Sequence, residues 1–339
     1  MIGKNIRFYR LMREMSQESL ARTVGVGKMA ISNYESGKRT PDYNTSRKIS
    51  KALDISLAKL LAQDSEGLII RHGAFRKHSS VTKSQQEVIL GKVDRYLGRL
   101  FEAASFVGEF ALPPMPDIDP AEVPDAEEAG QHLRAILGLS ATGPVGNITD
   151  ILENKGFIIC PCDYDGRGFS GSSGTVNGRP YIAINITMPA ERQRFTLIHE
   201  LAHLAFKIGE EKNEEKVVDG IAGAFLLPRI DILRELGPKR KNITGELRMI
   251  QQEYGVSMAA IVMRARQANI ITGKTYENTL KWIKSGFRTD EQSGIIPERP
   301  HLLEQLIARA VSENEIGISK AAELLELPLD DARRLCYGL

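Results

Sequence analysis

Apolar positions in the first 63 residues recur three and four apart in short bursts, each closed by glycine or a small polar pair. That pattern predicts a string of short helices. Ile2, Ile6, Tyr9 and Leu11 mark one over Ile2–Met12. Ser16 is placed to cap a second, whose inward residues are Leu20, Ala21 and Val24 and which Gly25 ends. Lys28–Glu35 forms a third around Ile31 and Tyr34, stopped at Ser36-Gly37, and two more follow near Asn44–Leu53 and Leu57–Ala62. After a mixed connector over 68–81, one apolar stripe (Val88, Ile89, Val93, Tyr96, Leu97, Leu100, Phe101) predicts a long amphipathic helix over Val81–Phe110.

Five of the 15 prolines then fall within Pro113–Pro124, a composition that cannot continue a helix and reads as a stiff acidic linker. Beyond it, Glu127–Leu139 and Asn147–Asn154 read as helices. Phe157–Cys160, Gly168–Gly171 and Tyr181–Ile186 read as short strands, with Ser170–Gly178 as a turn. Helical spacing returns over Ala190–Lys207, Glu214–Leu227, Ile230–Leu236, Ile243–Tyr254 and Met258–Ala268 and persists to the C-terminus. The expected organisation is 1–63, a helical domain; 64–124, a connector with long helix and linker; 125–236, helices around a small sheet; and 237–339, a helical C-terminal region. The fold class is multidomain and mainly α, with one α+β part.

Composition narrows the class. With 42% hydrophobic and 26% charged residues in 339, the chain is ordinary globular protein with room for two or three cores. Its longest apolar runs, such as Ala222–Leu227, are far too short for a membrane span. Three cysteines, two of them flanking Pro161, suit a reducing cytoplasm better than a disulfide framework. The net charge of +2 hides an asymmetry. Residues 1–63 carry 12 Lys/Arg against 5 Asp/Glu, so the remainder is net acidic. One end is a basic module suited to phosphate.

Two short helices joined by a glycine turn on that basic module form a helix-turn-helix pattern, whose second helix enters the major groove. That helix would present Lys28, Met29, Ser32 and Asn33, with Gln17 and the following Lys38 and Arg39 placed for backbone phosphates. The run from Met15 to Ser56 matches S-Q-x-x-L-A, the glycine turn, Tyr34-Glu35-Ser36-Gly37, and the segment from Pro41 through Ile49 to Leu53. It resembles the helix-turn-helix domain of Cro/cI-type (XRE-family) repressors. The resemblance implies that Gln17, Lys28, Met29, Ser32 and Asn33 face double-stranded DNA, and that a homodimer binds a palindromic operator.

The second motif lies in Phe195–Ala205, where His199-Glu200-Leu201-Ala202-His203 spells H-E-x-x-H. Residues four apart share a helical face, so both histidines can direct a ring nitrogen at one metal ion, with Glu200 beside them to take a proton from water. A catalytic Zn²⁺ needs a third protein ligand, and the next helix offers Glu214 and Glu215. The spacing from Glu215 to Asp219 resembles the E-x-x-[SA]-D segment of gluzincins, which implies a His2Glu site with Asp219 hydrogen-bonding a ligand histidine. Arg194–Pro228 as a whole, with pieces upstream at Gly143-Pro144-Val145, Leu152–Phe157 and Ala183–Ile186, resembles the ImmA/IrrE-type metallopeptidases over about residues 125–235. That resemblance implies a zinc-dependent endopeptidase that cleaves a protein partner such as a repressor.

Other signals are weaker. His72, His78, His132 and His301 lack metal spacing and read as surface residues, and Arg194 as a surface charge. If its edge is free, the strand at Tyr181–Ile186 could take an extended peptide by strand addition. Cys160 and Cys162 read as structural thiols. Ile318–Ala332 looks superficially like a second helix-turn-helix but is too acidic for phosphate, so it reads as helical packing or a partner surface. Two functional classes stand. One is a DNA-binding regulator that cleaves a protein partner or antitoxin; the other is a non-catalytic regulator that uses the peptidase fold as a sensor.

Overall fold

The computed structural model describes residues 2–62, 67–73, 81–108, 111–116, 118, 120–122, 125–166, 168–209, 213–286 and 294–338. The chain divides into two compact units, one of residues 1–69 with 75–102, the other of residues 70–74 with 103–339. Among the described residues no helix is long and apolar enough to cross a membrane.

The first unit contains α1 (Ile2–Met12), α2 (Gln17–Val24), α3 (Lys28–Glu35), α4 (Tyr43–Ala52), α5 (Leu57–Leu61) and most of α6 (Lys83–Val107). Its core joins Ile6, Leu20, Val24, Ile31, Tyr34, Ile49, Leu53 and Leu60, the positions that the apolar spacing singled out. Side-chain oxygens of Ser16, Asp42 and Ser56 accept the backbone N–H three residues on, closing the N-termini of α2, α4 and α5. Gly25 ends α2 in the left-handed region at φ 80°. A buried ion pair sits beneath the turn. Arg10 donates to both Glu35 oxygens (2.5 and 2.9 Å) and to the Met15 carbonyl (2.7 Å), so α1, the α2 entry and α3 share one charge network.

The second unit is built on a four-stranded sheet of order β1-β4-β5-β3: β1 (Ile70–His72), β3 (Ile158–Cys162), β4 (Gly171–Val176) and β5 (Arg179–Asn185). Beta-strand β2 (Ala121–Glu122) pairs in parallel with β6 (Phe206–Lys207). Helices α7 (Ala126–Ile136), α8 (Ile148–Asn154), α9 (Ala190–Ala205) and α10 (Glu214–Leu226) form the packing layer, and α9 lies against β4 and β5 with α10 beside it. Beyond them come α11 (Arg229–Leu236), α12 (Leu247–Tyr254), α13 (Met258–Gln267), α14 (Gly273–Gly286), and a three-helix group of α15 (Leu302–Ser312), α16 (Ile318–Leu325) and α17 (Leu329–Tyr337). The acidic ISKAAELLELPLDDA segment supplies α16 and α17 of that group.

Several expectations are corrected. The stretch read as a turn, Ser170–Gly178, is mostly β4, and only Asn177 (φ 49°) and Gly178 (φ 81°) make the two-residue turn into β5. Its glycines are there for close approach. A Cβ at Gly174 would overlap the Arg71 carbonyl and the Tyr181 ring, so the strand carries no large side chain where its neighbours come nearest. The edge of β5 is not free, because β4 and β3 pair with it on its two sides, which removes strand addition there. The connector holds β1, antiparallel to β4. Arg194 is not a surface charge. It is buried and donates to the carbonyls of Val145 (2.7 Å), Gly146 (2.9 Å) and Gly255 (3.1 Å) and to Glu298 (2.6 Å). The proline-rich stretch packs on this unit, since a Cβ at Gly156 would meet the Pro114 carbonyl. The long helix ends at Val107, and His78 and Phe110 lie outside the described residues.

Candidate metal centre and nucleic-acid interface

Helix α9 is buried over most of its length, because Leu197, Ile198, Leu201, Ala202 and Ala205 all face apolar neighbours. A helix with this surround leaves its polar groups little water, so His199 (1% exposed) and Glu200 (4%) need partners within the protein. The i, i+4 spacing puts His199 and His203 on one face, and their Nε2 atoms stand 3.2 Å apart. The first turn of α10, capped by Asn213, brings acidic groups to that face: Glu215 lies 3.6 Å from His199 Nε2 and 3.7 Å from His203 Nε2. Glu214 and Asp219 do something different. His199 Nδ1 is 2.8 Å from Asp219 Oδ1, and His203 Nδ1 is 3.0 Å from Glu214 Oε1.

An ionised carboxylate can only accept, so each Nδ1 carries its hydrogen toward its carboxylate, and a neutral ring then has its lone pair on Nε2. With both rings neutral, two lone pairs face each other across 3.2 Å with the Glu215 carboxylate beside them. Two imidazole nitrogens and a carboxylate converging in this way make a candidate cation site. Two nitrogens at about 2.0–2.1 Å from a tetrahedral zinc stand roughly 3.3 Å apart, so the donor set and its spacing fit Zn²⁺. His199, His203 and Glu215 are the cluster among the described residues whose donor atoms all come within 4.8 Å of one another.

Glu200 points off the histidine face toward the sheet. Ser173 on β4 donates its hydroxyl to Glu200 Oε2 at 3.0 Å, and a Cβ built on Gly171 would lie 3.4 Å from Glu200 Cγ. Sequence reasoning passed over Ser173, whose Gly/Ser-rich run looked like a loop. The signal that could have found it is Asn177-Gly178, a hairpin turn that makes the residues before it a strand. His72, expected at the surface, is half-buried, and its Nδ1 lies 2.7 Å from the hydroxyl of the fully buried Tyr181.

In the first unit α3 presents Lys28 and Met29 to solvent, Met29 being 73% exposed, while Ser32 and Asn33 are half-buried and Lys38 and Arg39 exposed. Gln17 donates from Nε2 to Glu35 at 2.8 Å, so its amide is oriented by the same network that joins α1 to α3.

Comparison with known proteins fits both geometries. Residues 6–60 match the model of the helix-turn-helix family, and residues 161–266 match the IrrE N-terminal-like domain, a metallopeptidase family. Two separate stretches of the chain are therefore similar to known families, one to the helix-turn-helix family and one to the IrrE N-terminal-like family. Over 74 residues (22% of this chain and 64% of the relative) it is 34% identical to the uncharacterized HTH-type transcriptional regulator YqaE of Bacillus subtilis. Over 66 residues (20% and 59%) it is 36% identical to the cryptic phage CTXphi transcriptional repressor RstR of Vibrio cholerae. The chain thus spans about three-fifths of the length of these relatives.

Proposed function

We propose that this chain is a DNA-binding regulator whose second unit is a zinc-dependent endopeptidase acting on a protein partner such as a repressor or antitoxin. The observation that carries the reading is the pair of imidazole nitrogens converging at 3.2 Å beside Glu215, each ring oriented from behind by its own carboxylate. His199, His203 and Glu215 would hold the metal. Zinc, when bound, supplies Lewis-acid polarisation of a carbonyl and acidifies a water. Asp219 and Glu214 hold the histidine tautomers that leave Nε2 free to bind it. Glu200, fixed by the Ser173 hydroxyl, takes a proton from the attacking water and returns it to the leaving amine. The buried α9 face supports this chemistry by keeping bulk water from the carboxylate.

In the first unit α3 reads base edges through Ser32 and Asn33, and Lys28, Lys38 and Arg39 hold phosphates, with Gln17 at the entry of α2. A homodimer on a palindromic operator follows from the few base pairs that one such module can read. The test is to incubate zinc-loaded full chain and its Glu200→Gln variant with a mixture of unfolded proteins and read cleavage by mass spectrometry. The wild type cleaves, and Glu200→Gln loses at least 100-fold while keeping its zinc. Equal cleavage by both would remove Glu200 from the chemistry. No cleavage by either would favour the non-catalytic regulator.

A further inference from the structure

The edge of β4 away from β5 is covered by the chain's own connector. Ile70 pairs with Val176, Arg71 with Thr175 and His72 with Gly174, antiparallel, and the Gly73 amide donates to the Ser173 carbonyl at 2.8 Å. The direction matters. Residues 70–73 run along β4 from its far end toward Ser173, whose hydroxyl holds Glu200, and toward Gly171, which lies against the Glu200 stem. An extended peptide delivered to Glu200 along this edge would use the same backbone groups in the same sense.

The site is also shaped for that occupant. Gly174 carries no Cβ where the Arg71 carbonyl and the Tyr181 hydroxyl approach, and the hydroxyl reaches His72 Nδ1 at 2.7 Å. A Cβ at Gly73 would overlap the Ser173 carbonyl, so the last position on the edge accepts glycine. Yet the hold is small. β1 is three residues long with Arg71 exposed, and a ladder so short is marginal by itself.

We propose that residues 70–73 are an internal occupant of a peptide-binding edge on β4, and that an extended peptide reaches Glu200 only when this segment is displaced. Residues on both sides of this segment, 1–69 and 75–102, belong to the unit that holds the helix-turn-helix. The catalytic consequence rests on the endopeptidase reading; the binding claim does not.

The test uses full chain and reads binding alone. The probe is a fluorescein-labelled synthetic heptapeptide with the sequence of residues 67–73, followed by fluorescence polarisation. The released variant is His72→Ala with Gly73→Pro, which removes the contact to Tyr181 and the Gly73 donor and leaves every residue of β4, β5 and α9 unchanged. The released variant binds the peptide at least tenfold more tightly than the wild type. Adding Gly174→Ala to it abolishes binding, and adding Tyr181→Phe weakens it several-fold, with unchanged far-UV circular dichroism as the folding check. Equal affinity in wild type and released variant, or no binding by the folded released variant, overturns the proposal. As a second measurement, the Gly73 amide is protected from hydrogen exchange in the wild type, and exchange at the unprotected rate also overturns it. Peptide binding without Glu200-dependent cleavage would leave this proposal standing and remove the endopeptidase reading.

Discussion

A neutral histidine whose Nδ1 donates to a carboxylate presents a lone pair on Nε2, and the Nε2 atoms of His199 and His203 stand 3.2 Å apart. On the proposed reading the carboxylates act on metal affinity without touching the metal. Asp219→Ala and Glu214→Ala are each expected to weaken zinc binding about 10–100-fold, measured by competition with a chromogenic chelator. Affinity unchanged in both would break the link between ring orientation and binding. Much of this was readable in advance, because helical periodicity alone fixes where His199, Glu200 and His203 point. The division of labour between Glu214 and Glu215 was not. Both lie in the first turn of α10, and only the tertiary approach of α10 to α9 decides that Glu215 faces both Nε2 atoms while Glu214 backs His203. A similar residue-scale argument applies to Glu35. Its carboxylate takes Arg10 and Gln17, so Glu35→Ala leaves a buried guanidinium uncompensated and is expected to cost about 3–5 kcal/mol, read from urea unfolding by circular dichroism.

At the scale of elements, α3 and β4 illustrate opposite degrees of legibility. The sequence marks α3 by its glycine turn, by Ile31 and Tyr34, and by Ser36-Gly37, and the structure has it over the same residues. Its outward side chains make a graded prediction. Ser32→Ala and Asn33→Ala lower affinity for the specific operator relative to random DNA by about 1–3 kcal/mol each, in gel-shift titrations. Lys38→Ala and Arg39→Ala weaken binding to any sequence and reduce the salt slope by about one each. A specific loss from the lysine and arginine variants with none from Ser32 or Asn33 would remove α3 as the reader. By contrast β4 was invisible to hydrophobic patterning. Gly171, Ser172, Ser173 and Gly174 carry no large apolar group, since the space above them is taken by Thr196 on α9 and by the connector. A strand whose neighbours press this closely must be built of small residues, and small residues look like a loop.

Over the whole molecule, charge asymmetry and the two motifs were legible, but the placement of segments far apart in sequence was not. Arg194 ties the motif helix to residues 145, 146, 255 and 298, and nothing local announces such a hub. Glu153 is a second long-range tie. It accepts the amides of His301 (2.9 Å) and Leu302 (3.2 Å) at the start of α15, and burial pushes its carboxyl up to about 7 despite those hydrogen bonds. The sign follows. An unfolded chain releases this proton near the usual glutamate range, whereas the folded chain keeps it to about pH 7, so Glu153 favours folding below about pH 4.5 and loses that contribution as pH rises to 7. Unfolding in urea, followed by the single tryptophan, Trp282 on α14, should show wild type losing up to about 3 kcal/mol against Glu153→Gln between pH 5 and pH 8. Parallel pH profiles for the two proteins would contradict it.

The central claim is that His199, His203 and Glu215 hold zinc in the second unit. The most direct measurement is zinc per chain in the 339-residue protein purified without added metal, beside His203→Ala purified identically. The account predicts close to one zinc per wild-type chain and little in the variant. Little metal in both, persisting after zinc is supplied, would contradict it.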